Sequence, residues 1–220
     1  MFNIKKLDLI ISLYIFCVVV SELMGAKTFP LFTIAGFKLN ASVAIFTIPI
    51  IFSANDIIVE VYGKERARSL IRSSIFIIAL LLLFTILATS LPPSGRFAQS
   101  ESAYDLIFTK AMRFSIASLV AFITAEFLDV YIFAKIREKM GKKALWLRNN
   151  VSNFISQFID TAVFMTLAFY TLGQSFGGNV AFLAGLILPY WLLKCSMSVL
   201  ETPLVYLGVN WLKKDERKKL

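Results

Sequence analysis

Apolar residues fall into six long runs, at residues 7–29, 39–61, 71–91, 114–133, 151–172 and 180–209, separated by short stretches rich in Lys, Arg, Gly, Pro and Ser. At 1.5 Å of rise per residue, each run is long enough as a helix to cross the ~30 Å of hydrocarbon in a bilayer. Lipid offers no partner for a free backbone N–H or C=O, so runs of this length predict transmembrane helices. The pattern predicts an all-α integral membrane protein of about six transmembrane helices, one domain over residues 1–220, since no linker divides the chain. The last run exceeds the minimum and holds Pro189 and Pro203, which predicts a tilted or kinked helix. Residues 92–110, with Pro-Pro, Ser, Gly and Gln, form the longest connection on the outer side and suit a short interfacial helix or lid. No internal repeat stands out.

The polar breaks carry an orientation signal. With Lys5 and Lys6 inside, the same side collects Lys64, Arg66, Arg68, Arg72, Lys135, Arg137, Lys139, Lys142, Lys143, Arg148, Lys213, Lys214, Arg217, Lys218 and Lys219. The other side holds Lys38, Arg96, Lys110 and Arg113, so the positive-inside rule makes both termini cytoplasmic. The net charge of +9 therefore reads as topology and not as a nucleic-acid surface, because the basic residues sit in short clusters between apolar runs. The first run could pass for a secretory signal, with Gly25 and Ala26 as small residues, but Glu22 interrupts the position before a cleavage site.

Composition narrows the chemistry. Hydrophobic residues make up 58% of the 220, more than the core of a water-soluble domain of this size uses. Histidine is absent, which removes the usual general base, the usual zinc ligand and any Ser-His or Cys-His pair. Cys17 and Cys195 each lie inside an apolar run, in no metal-ligand spacing, and read as packing or lipid-facing residues. An intramembrane enzyme is the weakest reading, and no cofactor is expected. The 21 Phe residues are mostly lipid-facing filler, with Phe52, Phe133, Phe154, Phe158, Tyr190 and Trp191 available to stack on a planar ligand.

The informative residues are ionisable groups within the spans: Glu22, Asp56, Glu60, Glu126, Asp129, Asp160, Lys194 and Glu201. A charge at a helix centre costs on the order of 2.5–3.5 kcal/mol on insertion scales, so such groups face the interior of the bundle, paired, protonated or wet. Counting along each span puts Asp56, Glu126, Asp160 and Lys194 near one level, in the middle to inner part of the bilayer. Glu22 sits in the outer half, while Glu60 and Glu201 approach the cytoplasmic boundary. Asp56 and Glu60 are four apart and Glu126 and Asp129 three apart, each pair on one helix face. Asn153, Ser156, Gln157 and Asp160 make a polar stripe on the fifth span, and Lys194, Ser198 and Glu201 do so on the sixth. Buried carboxylates outnumber buried cations, so the set calls for amide and hydroxyl donors or for a ligand rich in N–H groups. A polar knot that merely fixes helix packing is the competing reading, although interhelical polar bonds average under ~1 kcal/mol each.

The run FSANDIIVEVYGKERARSLI, followed by ASLVAFITAEFLDVYIFAKIRE, NFISQFIDTAVFMTLAF and PYWLLKCSMSVLETPLVYLGV, resembles the queuosine precursor transporter family, formerly called vitamin uptake transporters. The resemblance covers most of the chain. Positions that match the family pattern are Asp56, Glu60, Gly63, Arg68, Asp129, Asn153, Ser156, Asp160, Lys194 and Pro203. SELMGAK in the first span departs from an Asn-containing form, which leaves the role of Glu22 open.

The resemblance implies a multi-pass protein of the bacterial inner membrane that imports 7-deazaguanine bases bearing a cyano or aminomethyl group. The substrate site is expected to draw on Glu22, Asp56, Glu126, Asp129, Asn153, Ser156, Gln157, Asp160 and Lys194, in a midplane cavity worked by alternating access. A carboxylate can accept the N–H donors of the pyrimidine edge, and Lys194 or Gln157 can donate to the ring carbonyl. The alternative is a substrate-binding membrane subunit served by a separate ATPase, because no GxxxxGK[ST] loop occurs in this chain. The expected partners are the base and the lipid bilayer, not nucleic acid. Self-association and an energising subunit both stay open.

Overall fold

The computed structural model describes the backbone of residues 5–34, 37–140, 145–200 and 202–216; within these, side chains at 32, 34, 37–39, 64, 126–127, 129–130, 132–134, 136–140, 145–153, 197–200, 202, 204 and 214–216 are outside the description. Among the described residues seven α-helices follow one another: α1 (Lys6–Met24), α2 (Ile48–Tyr62), α3 (Lys64–Ser90), α4 (Glu101–Met140), α5 (Leu145–Phe169), α6 (Phe176–Leu200) and α7 (Thr202–Glu216). Strands β1 (Thr28–Ile34) and β2 (Phe37–Ser42) pair into a two-stranded sheet between α1 and a short 3-10 turn, Val43–Phe46. Among the described residues five helices are long and apolar enough to cross a membrane, and the apolar stretch Phe154–Phe169 of α5 is a shorter sixth. The fold is thus the expected helical membrane architecture.

Three boundaries differ from the hydropathy pattern. The first run ends as helix at Met24 and the second begins at Val43, because the Thr-, Phe- and Ile-bearing segment between them forms the hairpin. An averaged hydropathy window cannot tell an apolar strand from helix. Helix α4 starts at Glu101, inside the 92–110 connection expected to carry a short interfacial helix or lid, and is continuous with the span that follows. No Gly or Pro lies between residues 101 and 140, so nothing stops the helix from running the full 40 residues. The last run divides into α6 and α7 around residue 201, while Pro189 sits inside an unbroken α6. Pro203 falls in the first turn of α7, where a missing N–H costs no helical bond.

The chain gathers into two compact units: residues 1–28, 42–112 and 196–220 form the first, and residues 29–41 and 113–195 the second. In the first unit α2 packs on α1, α3 and α7. Its core holds Tyr14, Cys17, Ile57, Ile58, Leu70 and Leu212. Helices α2 and α3 join through Gly63 alone, at φ 84° and ψ 167°, a region open to glycine and costly for any L side chain. A Cβ on Gly208 would run into Cδ1 of Ile57 and lie 2.9 Å from its Cγ1, so glycine lets α7 close on α2.

The second unit is cemented by aromatic edges. Phe114 of α4 meets Phe164 and Phe169 of α5 at ring distances of 5.4 and 4.9 Å, and Phe169 continues to Phe182 of α6 at 6.3 Å. Arg113 donates from Nε to the Leu167 carbonyl (2.6 Å) and from Nη2 to the Tyr170 carbonyl (2.5 Å), supplying donors to the end of α5. The turn to α6 is closed by Asn179, only 2% exposed, which accepts from the Thr171 N–H (3.0 Å) and donates to the Thr171 carbonyl (2.8 Å). Buried hydroxyls are satisfied at home: Ser74, Thr85 and Thr161 donate to carbonyls three or four residues back in their own helices.

Candidate functional site

The fifth and sixth helices bring two expected site residues together. Lys194 Nζ donates to Asp160 Oδ2 at 2.6 Å, across 34 residues of sequence, with the side chains 15% and 29% exposed. Ser156 lies buried one turn before Asp160, and Gln157 is half-buried beside it. One turn from Lys194, the Trp191 ring sits edge-on to Phe154 (4.6 Å) and Phe158 (5.3 Å). Trp191 Nε1 also donates to the Phe154 carbonyl at 3.4 Å. A carboxylate, an ammonium and an aromatic box thus occupy neighbouring turns of two packed helices. Such a set can accept N–H donors, donate to a carbonyl and hold a flat ring.

The first unit carries a separate polar groove of about 460 Å³ between α2 and α7. Asp56, Val59 and Glu60 line it from α2, and Tyr206, Asn210 and Lys213 from α7. Lys213 Nζ stands 4.0 Å from Glu60 Oε1, an ion pair at the limit of contact with both side chains well exposed. Asp56 makes no hydrogen bond or ion pair among the described residues, so its oxygens are open to the groove. Tyr206, Asn210 and Lys213 were not singled out in the sequence, although their spacing of four and three puts them on one helix face. In the sequence Lys213 reads only as one of the basic residues of the tail.

Glu22, on α1 in the first unit, is 6% exposed and engaged with its surroundings. The side chains of Glu126 and Asp129 on α4 and Asn153 on α5, and residue 201, lie outside the described residues. Of the expected site, then, Asp160 and Lys194 meet in the second unit, Ser156 and Gln157 precede Asp160 on the same helix, and Asp56 and Glu22 belong to the first unit.

Comparison with known proteins fits this picture of polar groups on apolar helices. A family model described as "Putative vitamin uptake transporter" matches residues 42–208. The chain belongs to this family. It is similar to a "Probable queuosine precursor transporter" of Bacillus subtilis (strain 168), with 30% identity over 203 residues, 92% of this chain and 84% of that protein. A "Probable queuosine precursor transporter" of Haemophilus influenzae is 29% identical over 64% of this chain and 57% of its own length. A "Queuosine precursor transporter" of Escherichia coli is 28% identical over 60% of this chain and 56% of its own length. No solved structure matches the chain. The chain is a multi-pass membrane protein of a transporter family, at home in the bacterial inner membrane. Within the family match lie Gly63, which makes the α2–α3 junction possible, and the Asp160–Lys194 pair.

Proposed function

We propose that this chain imports queuosine precursors, 7-deazaguanine bases carrying a 7-cyano or 7-aminomethyl group, across the inner membrane with both termini in the cytoplasm. The observation that carries the reading is the 30% identity to a protein named for that transport, over most of both chains. The pairing of Asp160 with Lys194 beside Trp191 supports it chemically, as does the groove around Asp56. The pyrimidine edge of a deazaguanine offers two adjacent N–H donors to a carboxylate, and its carbonyl accepts from an ammonium or amide. Alternating access would expose these groups to each side in turn.

The test is a binding screen of purified protein by calorimetry, with both deazaguanines, guanine and a panel of vitamins. Micromolar or tighter binding of a deazaguanine, on the order of −8 kcal/mol, is the expected result. Guanine should bind more weakly, since its N7 stands where the ligand has a substituted carbon. Absence of deazaguanine binding by folded protein would sink the substrate reading and leave the membrane architecture untouched. Uptake that collapses with the proton gradient points to a self-sufficient carrier, whereas uptake lost on ATP depletion alone points to an energising partner. Orientation is checked by impermeant labelling: a cysteine replacing Gln99 should react in intact cells and one replacing Arg68 should not.

A further inference from the structure

A second cavity, a crevice of about 220 Å³ between α1, α2 and α3, belongs to neither polar site. Its walls are Ile11 and Ile15 of α1, Ile58 of α2 and Ile77 of α3, and its polar residues are Arg66, Ser69 and Ser73. We propose that it binds an anionic phospholipid, with the phosphodiester at Arg66 and an acyl chain laid along the isoleucines.

Three observations lead there. First, the crevice is polarised along α3. Arg66, Ser69, Ser73 and Ile77 lie three, seven and eleven residues along one face of α3, a rise of about 16 Å from Arg66 to Ile77, or half the hydrocarbon core. Along α3 charge sits where the helix begins and carbon three turns on, the order of a phospholipid from headgroup to tail, while Ile58 of α2, five residues before Gly63, flanks the charged end. Helix α1, which packs on α3, adds Ile11 and Ile15, one turn apart.

Second, the cation has no counterion among the described residues. Arg68 is neutralised by Glu65 at 2.6 Å, but Arg66 makes no hydrogen bond or ion pair among the described residues. A guanidinium presents paired N–H donors that match two phosphate oxygens. The Ser69 hydroxyl, also without a partner among the described residues, can add a third donor. Ser73 spends its proton on the Ser69 carbonyl at 2.9 Å and so contributes only bulk and an acceptor. The first turn of α3 adds the partial positive charge of its free N–H groups.

Third, the shape selects the occupant. Free phosphate would satisfy Arg66 and leave four isoleucines bare, while a helix ~10 Å wide with its side chains is too thick for the space. A zwitterionic lipid fits the walls but brings its own ammonium to compete with Arg66 for the phosphate. Anionic headgroups in basic crevices on the cytoplasmic side follow the same electrostatics.

The test measures thermal unfolding of the full chain in detergent with added dioleoylphosphatidylglycerol, dioleoylphosphatidylcholine or inorganic phosphate. Phosphatidylglycerol should raise Tm by ~3 °C or more beyond phosphatidylcholine. Arg66→Gln should erase that excess, and Ser69→Ala should reduce it. Arg72→Gln, which removes the same charge from the same helix outside the crevice, should keep it. Equal shifts from the two lipids, a full shift from phosphate alone, or equal loss in Arg72→Gln would overturn the proposal. So would a lipid-induced shift accompanied by dimer formation in size-exclusion chromatography with light scattering, which would assign the crevice to a second copy. If Arg66→Gln does not fold, the Ser69→Ala comparison decides.

Discussion

Reversing the charges of the Asp160–Lys194 pair separates a structural clamp from a ligand-reading pair. At 2.6 Å, and at the effective dielectric of ~20 suited to partly exposed sites, the Coulomb attraction is about 6 kcal/mol before any cost. Desolvation takes back several kcal/mol per ion, and with Asp160 29% exposed water still screens the pair, so a net coupling of about 1–3 kcal/mol remains. Lys194→Met leaves an uncompensated carboxylate among apolar helices and should cost about 3 kcal/mol, or ~6–10 °C in Tm for a chain of this size. Asp160→Asn should cost less, because an amide keeps hydrogen bonding without charge. The exchange Asp160→Lys with Lys194→Asp restores the ion pair with its polarity inverted. Thermal unfolding in detergent reads stability, and uptake at matched expression reads function. The exchange should recover most of the stability and little of the uptake. Recovery of both would assign the pair to packing alone. A coupling energy below ~0.5 kcal/mol in the double-mutant cycle would show that the 2.6 Å contact contributes nothing.

Three further outcomes follow from backbone and packing. Gly63→Ala forces a side chain into φ 84°, ψ 167° and should destabilise the chain by about 1–3 kcal/mol; an unchanged unfolding midpoint would mean the α2–α3 junction relaxes freely. Asn179→Ala removes both bonds to Thr171 from a site 2% exposed and should cost about 1–3 kcal/mol, with protease cutting near residues 171–175 as a second readout. Gly208→Ala drives a methyl into Ile57 and should cost about 1–3 kcal/mol, which Ile57→Ala in the same chain should partly return; additive losses would refute the close approach of α7 to α2.

The sequence made the polar pair legible because a charge on an apolar helix has one physical excuse, an inward face. Asp160 and Lys194 could be singled out with no knowledge of which helices touch. Their contact could not, since nothing local says that α5 packs on α6. The hairpin was hidden for a different reason: its first and last residues extend the flanking apolar runs, and the short stretch between them, with Pro, Gly and Lys, reads as a plain connection. Helix α4 reached back to Glu101 because Pro92, Pro93 and Gly95 mark where a loop begins and not where it ends. Tyr206, Asn210 and Lys213 were overlooked because a rule that counts basic residues for topology treats Lys213 as a label and not as part of a groove.

The two polar sites differ in what a ligand must displace. Asp160 already holds a cation at 2.6 Å, so a base that takes its oxygens must break or bridge a strong contact and recover that loss from its own N–H groups. Asp56 gives up only water, having no partner among the described residues, and a groove of about 460 Å³ lies open around it. On the proposed function, Asp56 is therefore the cheaper first reader of the pyrimidine edge, and the Asp160–Lys194 pair is the element whose opening and closing can be coupled to occupancy. The distinction has an experimental signature. Asp56→Asn should weaken deazaguanine affinity with little change in Tm, because it deletes an acceptor that supports no fold contact. Asp160→Asn should lower Tm first and alter transport through the pair it breaks. If instead Asp56→Asn leaves calorimetric affinity intact while Asp160→Asn removes it, the base is read by the pair, and the groove at Asp56 serves some later step of the transport cycle.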